Sequence, residues 1–332
     1  MKTCRPRRAS NPEAGSTPSA LLSVHLLLAI ALLAPVAPVL AQDDAEDDDG
    51  FFGLGWLDTT QSYSSSKADA LAQQLDRFFG VERSDLEAAY SSLRLIPEIR
   101  WHENDGFEGR LRLRGRLHLP RIDERLSLVF SEDQGEGTSY YDQNSLFRET
   151  HSTRVNMEVN LQNKERYRFD FRVGLRSSLK LRTSVRFRYE APLTTSVANR
   201  LSQTVYFIDG KGLGSFTQYQ VDHSLSDVSL LRWSNEYRRE EKLDGDEWST
   251  SFTYQKRHSN TTGSSYFLRI ASNTDYNYVE LYQVGLRWRG NIARPWLFWE
   301  LSPGYQWEKT SATASRDGSL FTSLSLEMAI GR

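Results

Sequence analysis

Apolar and charged residues alternate strictly between Gly106 and Glu190. Residues 110–119 read Arg-Leu-Arg-Leu-Arg-Gly-Arg-Leu-His-Leu, and residues 166–173 repeat the pattern as Arg-Tyr-Arg-Phe-Asp-Phe-Arg-Val. Because successive side chains of a β-strand point to opposite faces, each run has one apolar face and one charged face. A closed barrel in lipid leaves no strand edge unpaired and turns the apolar face outwards. The alternation therefore predicts transmembrane β-strands.

Similar runs along the rest of the chain predict fourteen strands. They cover residues 92–102, 107–119, 125–132, 153–163, 166–176, 180–190, 201–208, 215–225, 228–239, 247–257, 265–273, 279–289, 296–308 and 319–330. An even number returns both chain ends to one side of the membrane, as in bacterial barrels. The expected fold class is all-β, an antiparallel transmembrane β-barrel of about 14 strands. A count of twelve stays open, because residues 190–200 are long for a periplasmic turn and residues 177–179 are short for an outer loop.

Large aromatic side chains occupy the apolar faces near the ends of several predicted strands. Such rings are typical of the girdles that mark the two membrane interfaces of a barrel. The predicted girdle residues are Trp101, Trp233, Trp248, Trp288, Trp299, Tyr305 and Trp307. The alternative is ordinary aromatic packing in the core of a soluble β-protein.

The start of the chain has the pattern of a secretory signal peptide. Basic residues precede an apolar stretch at 21–40, and residues 39–41 read Val-Leu-Ala. Small or branched residues at these positions suit signal peptidase, so we expect cleavage after Ala41. This pattern therefore predicts that the protein is exported.

Three further regions are predicted after residues 1–41. Residues 42–65 begin with an acidic run that has nothing to bury, so we expect them to be largely disordered. Residues 66–90 have helical spacing and form an amphipathic periplasmic segment, with a first helix ending before Gly80 and a shorter one at 84–90. That segment either packs under the barrel rim or plugs the lumen, and its single apolar stripe favours the rim. Residues 91–332 form the barrel.

Composition narrows the class of protein. Without residues 1–41 the chain has 37 basic and 42 acidic residues, a formal charge of −5, which is not the footprint of a nucleic-acid-binding protein. Mean hydropathy is −0.56, and no later apolar run approaches the roughly twenty residues of a spanning helix. The only cysteine, Cys4, lies in the predicted leader, so the mature chain is expected to have no disulfide, no thiolate metal site and no cysteine nucleophile.

The charged faces of the predicted strands point into the lumen. The residues predicted to line it are Arg110, Arg112, Arg114, Arg116, Arg168, Arg172, Arg182, Arg186, Arg188, Glu98, Glu108, Glu158, Asp170 and Glu190. Guanidinium and carboxylate groups on neighbouring strands can pair and fill the interior. A surplus of arginine can instead form a cationic wall that guides anions through a pore. The balance of charge favours pairing, and a paired wall can still border a narrow pore.

A lipid-modifying enzyme is the alternative function. Residues 258–260 read His-Ser-Asn, superficially like the His and Ser of outer-membrane lipases. Those lipases place the two residues two positions apart on one face, whereas His258 and Ser259 are adjacent and point to opposite faces of a strand. No catalytic residue is therefore predicted, although a triad assembled from distant strands stays open. No spacing indicates a metal site, and no cofactor is expected.

The last strand resembles the C-terminal strand by which Gram-negative outer-membrane barrels are recognised for assembly. Its apolar set is Leu320, Leu324, Leu326, Met328 and Ile330. Residues 117–130 and 296–307 are also similar to uncharacterised proteobacterial barrels. The resemblance implies a location in the outer membrane of a Gram-negative bacterium, contact with its lipid and lipopolysaccharide, and recognition by the barrel-assembly machinery.

The sequence thus predicts an integral outer-membrane barrel that acts as a narrow, anion-favouring channel or as a structural membrane protein with a salt-bridged lumen. Small anions are the candidate solutes, and nucleic acid is not an expected partner.

Overall fold

A computed structural model describes residues 67–79, 92–118, 126–132, 153–163, 166–176, 180–292 and 294–330. Several predictions lie outside these residues: the signal peptide at 1–41, the acidic segment at 42–65 and the shorter helix at 84–90. The links 133–152 and 177–179 lie outside them as well.

One helix and fourteen strands form the described fold. The helix, α1, spans Lys67–Phe79. The strands are β1 (Ser92–His102), β2 (Gly106–His118), β3 (Leu126–Glu132), β4 (Thr153–Asn163), β5 (Tyr167–Arg176), β6 (Leu181–Pro192), β7 (Val197–Ile208), β8 (Gly212–Ser226), β9 (Ser229–Glu240), β10 (Glu247–Arg257), β11 (Thr262–Asn273), β12 (Leu281–Asn291), β13 (Leu297–Glu308) and β14 (Asp317–Ile330).

The strands form a closed antiparallel barrel in which each pairs with its neighbours in sequence and β14 pairs with β1. At this seam Leu93 lies opposite Ile330, and Trp101 lies opposite Thr322. Closure removes every unpaired strand edge, which a sheet in lipid requires. The predicted fold class is confirmed, with fourteen strands rather than twelve.

The connection between β6 and β7 is shorter than the link at residues 190–200 that kept a count of twelve strands open. β6 continues to Pro192 and β7 begins at Val197, so four residues form the turn, closed by hydrogen bonds from the Leu193 and Thr194 amides to the Val197 carbonyl. Arg200 donates from Nε to Glu190 across the two strands. The prediction ended β6 two residues early and began β7 four residues late, because polar residues on an inward face look like a loop in the sequence.

The two ends of the barrel differ in the length of their connections. At the end where β1 begins and β14 ends, here called the terminal mouth, the described turns include 193–196, 227–228 and 258–261. At the opposite mouth the described connections include the short turns 103–105 and 209–211 and the longer loops 241–246, 274–280 and 309–316. Short turns on the side of the termini and longer loops on the other side are typical of bacterial outer-membrane barrels.

Polarity across the wall is the reverse of that in a soluble protein. Outward-facing side chains are apolar and exposed, as with Ile99 at 58% and Leu111 at 62% relative exposure. Inward-facing side chains are polar and buried, as with Arg269 at 1% and Glu158 at 2%. This arrangement suits a barrel whose outer surface contacts lipid. Among the described residues, no helix has the length and apolar composition of a transmembrane span.

α1 lies inside the barrel near the terminal mouth, which corrects the expectation that it packs under the rim. It contacts inward-facing residues of β9, β11, β12 and β13. A single apolar stripe is compatible with the lumen because the wall there presents apolar side chains of its own, including Leu230.

Candidate functional site

The predicted lumen residues occupy alternating positions on the inner surface of the barrel, but they differ in burial. Those that are buried are Glu98, Arg116, Glu158, Arg168, Asp170, Arg182, Arg186 and Arg188. Those that are partly buried are Arg110, Arg112, Arg114, Arg172 and Glu190. Glu108 is exposed near the opposite mouth, where it accepts a hydrogen bond from Arg110 Nε at 3.0 Å. The nine arginines on β2, β5 and β6 are hereafter the arginine wall.

Glu158 on β4 connects several guanidinium groups of the arginine wall. Arg116 on β2 donates from its two terminal nitrogens to the two carboxylate oxygens, at 3.1 and 3.4 Å. Arg172 on β5 donates from Nε to Oε2, and Arg168 lies 3.6 Å from Oε1. A carboxylate has about four acceptor positions, so one buried Glu can hold several arginines. Glu158 therefore ties three strands together through their inward faces.

Other carboxylates repeat this arrangement on both sides of Glu158. Asp170 accepts from Arg168 Nε at 2.7 Å and from Arg188 on β6. Glu98 on β1 accepts from Arg100 Nε at 3.0 Å and lies 3.1 Å from Arg112 on β2. Glu98 with Arg112 and Asp170 with Arg188 are diagonal pairs across neighbouring strands, which long side chains can bridge.

The helix is held in the lumen by a buried ion triad, hereafter the latch. Arg232 on β9 donates to Asp76 of α1 from both terminal nitrogens, at 2.7 and 3.0 Å. Its Nε and one terminal nitrogen also donate to Asp222 on β8, at 2.6 and 3.0 Å. Asp76 has no relative exposure, and this fork-shaped pairing compensates for its removal from water. Asp69, about two turns earlier, lies 3.7 Å from Arg200.

Apolar and dipolar contacts fix the rest of α1. Leu71, Ala72, Leu75 and Phe79 pack with Leu230 of β9 in one buried cluster. At the carboxyl end of the helix, Arg287 of β12 lies 3.4 Å from the Phe79 carbonyl oxygen and places its guanidinium 5.4 Å from the ring centroid of the same residue. A cation suits this position because the last carbonyl groups of a helix carry partial negative charge.

The far side of the helix also reaches the wall. Phe78 makes an edge-to-face contact with Phe298 of β13, with ring centroids 6.4 Å apart. A Cβ atom at Gly263 of β11 would lie 2.8 Å from the Phe78 ring and 3.3 Å from the Phe79 ring. Glycine therefore leaves the space that the two rings fill. α1 thus contacts β7 to β9 and also β11 to β13.

Several charged residues of the lumen were missed by sequence reasoning. They are Asp76, Arg200, Asp222, Arg232, Arg269, Arg287 and Arg289, all of which are buried or partly buried. Alternation on the later strands could have identified the strand residues. Asp76 had a signal of its own, because it stands beside Leu75 within the apolar stripe of α1, where an acid needs a buried partner.

Histidines do not form the arrangement considered for a lipase. His258 Nε2 lies 2.7 Å from the Ser264 hydroxyl, whereas the Ser259 hydroxyl accepts from backbone amides of its own turn. The structure does bring His102 between Asp105 at 3.3 Å and Ser319 at 3.3 Å.

The contacts around His102 are typical of a structural role. The His102 Nδ1 atom accepts from the Asn104 amide, and Ser319 has only 2% relative exposure, so this hydroxyl is not presented to a substrate. His102 links β1 to β14 at the barrel seam. Within the described part of the chain, no three His, Cys, Asp or Glu residues cluster as metal ligands.

The predicted girdle aromatics lie on outward-facing positions in two groups. Trp288 and Trp299 lie toward the terminal mouth with ring centroids 6.4 Å apart. Tyr305 and Trp307 lie toward the opposite mouth, 4.7 Å apart. Trp101 and Trp248 share that end, while Trp233 stacks on Phe252 at 6.3 Å.

No protein-family model matches the chain, and no curated protein matches it. Among solved structures it is similar to CymD, a monoaromatic hydrocarbon channel, with 11% identity and a TM-score of 0.45 over 79% of this chain and 93% of that one. It is also similar to an anion-selective porin from Comamonas acidovorans, with 9% identity and a TM-score of 0.43 over 72% and 99% of the two chains. OmpT of Vibrio cholerae gives 10% identity and a TM-score of 0.44 over 72% and 97%.

The architecture of the described residues is a closed antiparallel β-barrel of fourteen strands. Similarity at this level concerns the strand arrangement and carries no information about a solute.

Proposed function

We propose that this barrel is a narrow outer-membrane channel that favours anions. The observation that carries the proposal is the arginine wall, nine arginines on the inward faces of β2, β5 and β6 against five predicted lumen carboxylates. Arginine stays charged at any physiological pH, so the wall has a permanent cationic excess. Pore-lining arginines attract anions and repel cations.

The width of the barrel supports a pore rather than a solid interior. About eight strands enclose a space that side chains alone can fill, while 16 to 18 strands leave an aqueous channel. This barrel has fourteen strands, and α1 occupies part of its interior near the terminal mouth. A conducting path along the arginine wall would pass beside the helix or through the space that the helix leaves.

Ion selectivity tests the proposal. Full-length protein reconstituted in planar bilayers under a KCl gradient is expected to give a reversal potential on the anion side. Arg112→Gln combined with Arg114→Gln removes two charges from partly buried positions of the wall and should shift that potential toward zero.

The control is Arg239→Gln. Arg239 lies on β9 with a side chain that is 74% exposed, so one positive charge is lost outside the lumen and selectivity should stay unchanged. A cation preference in the wild-type protein contradicts the proposal. So does an equal shift in the control, because it would mean that overall charge, and not the arginine wall, sets selectivity.

A further inference from the structure

Arg232 has two hydrogen-bonding edges, and they are held by different parts of the protein. The edge that includes Nε faces Asp222 on the neighbouring strand of the wall. The edge made by the two terminal nitrogens faces Asp76, which belongs to α1. Asp222 orients and neutralises the guanidinium within the wall. The second edge is a preformed fork for one carboxylate, and the helix supplies that carboxylate.

The wall around this fork is apolar in part. Thr253, opposite Arg232 on β10, is polar and buried. Leu230, two residues before Arg232 on the same inward face, is apolar and fully buried beneath the helix. Farther round the barrel, Phe298 and Gly263 meet Phe78 of the helix. The surface covered by α1 therefore combines a carboxylate fork with apolar side chains. A solute with a carboxylate and an apolar body has the chemistry to replace it.

A helix of 13 residues is marginal in water by itself, so its order depends on the contacts in the lumen. Those contacts include the ion triad, the apolar cluster, the Asp69–Arg200 pair and the contacts of Phe78 and Phe79 with the wall.

We propose that α1 is a displaceable plug whose Asp76 occupies a lumen binding site for amphiphilic carboxylates, formed by Arg232 and the apolar wall beside it. The inference rests on the proposed channel function and adds a solute class and a means of regulation. A carboxylate solute competes with Asp76 for Arg232, and the apolar body of the solute replaces the contacts of Leu75 and Phe79.

Thiol labelling tests the plug without requiring conduction. The predicted mature chain has no cysteine, so Ala72→Cys places one thiol on the buried face of α1, and Gln74→Cys places one on its exposed face. In the chain from residue 42 to residue 332, refolded in detergent micelles, a maleimide reagent should label position 72 far more slowly than position 74. Adding Asp76→Asn should speed labelling at position 72 by at least about tenfold, the factor that corresponds to losing a charge-assisted hydrogen bond.

Gly263→Val is a second way to release the helix, acting from the wall and without any change of charge. Its side chain would displace the rings of Phe78 and Phe79, so it should also speed labelling at position 72 while leaving position 74 unchanged. Equal rates at positions 72 and 74 in the otherwise unaltered chain would overturn the plug. An unchanged rate at position 72 in both release variants would overturn it as well.

The carboxylate site is tested by titration calorimetry on the Asp76→Asn protein. Hexanoate should bind at least about tenfold more tightly than hexanamide, which has the same apolar body without the charge, and than acetate, which has the charge without the body. Adding Arg232→Gln should abolish the difference between hexanoate and hexanamide. Equal binding of hexanoate and hexanamide, or a preference that survives Arg232→Gln, would overturn the site.

Bilayer recordings of the same variants separate the two proposals. If Asp76→Asn raises labelling at position 72 and increases conductance, both the plug and the channel are supported. If labelling rises while every released variant stays silent, the plug stands and the channel function fails. If the wild-type protein conducts and neither release variant changes conductance or labelling, the channel stands and the plug fails.

Discussion

At the scale of single residues, the lumen is organised by a few buried acids that each hold more than one arginine. Glu158→Gln keeps the shape of the side chain but leaves Arg116, Arg168 and Arg172 with less compensating charge at a site where Glu158 has 2% relative exposure. Breaking a buried pair by removing one partner costs about 3 to 5 kcal/mol. We expect a loss of that size in the free energy of unfolding, measured by urea titration in detergent micelles.

Glu108→Gln is the comparison for this prediction. Glu108 pairs with Arg110 but has a side chain that is 47% exposed, and pairs of that kind are worth less than about 1 kcal/mol. The two variants remove the same charge. Similar losses from both would show that burial does not set the strength of these pairs.

The lumen residues that sequence reasoning identified were those on strongly alternating strands. There, position along one strand is enough to tell which way a side chain points, and Arg116 and Arg168 needed no further information. The latch could not be found in this way, because Asp76 and Arg232 are 156 residues apart and meet only when the helix enters the barrel. A pattern within one segment does not specify a partner in another.

At the scale of elements, two pairs of strands fit closely through a glycine opposite a phenylalanine. Gly304 of β13 lies directly opposite Phe321 of β14, and a Cβ atom at position 304 would overlap the ring. Gly285 of β12 and Phe267 of β11 make the same pairing. The inward rings cover the backbone of the neighbouring strand, a device that fixes the register of a sheet.

Gly304→Ala should therefore destabilise the β13–β14 pair by about 1 to 3 kcal/mol, the usual cost of overpacking a filled space. Urea titration in micelles measures the loss. Gly109→Ala on β2 is matched to it, because a Cβ atom there meets nothing within 4 Å, and it should change stability little. An equal loss of stability at both sites would mean that the backbone conformation of glycine, and not the space it leaves for Phe321, sets the cost of the substitution.

The presence of each strand was easier to predict than its first and last residues. The alternation of β5 and β10 is unbroken, and their predicted and observed bounds agree closely. β7 begins at Val197, four residues before the prediction, because Ala198 and Arg200 face inwards and Asn199 breaks the apolar outer face. These residues belong to β7 because they form hydrogen bonds with β6. No local sequence pattern indicates such bonds.

At the scale of the whole molecule, the even number of strands places both ends of the described strand array at the same mouth of the barrel. If that mouth is periplasmic, the connection 309–316 is on the cell surface and the turn 193–196 is not. An epitope inserted in the connection should be detected by antibody on intact cells, and the same epitope in the turn should be detected only after the outer membrane is opened. Detection of the turn on intact cells would show that the barrel has the opposite orientation in the membrane.

The position of α1 also has a consequence for how the protein is made. The helix precedes all the described strands, yet it touches β7 to β9 and also β11 to β13. Its contacts can form only once strands far along the chain have paired, and folding that depends on such distant contacts is slow. The helix is thus among the last of the described elements to reach its place, and the barrel has to admit it before or after the seam between β1 and β14 closes.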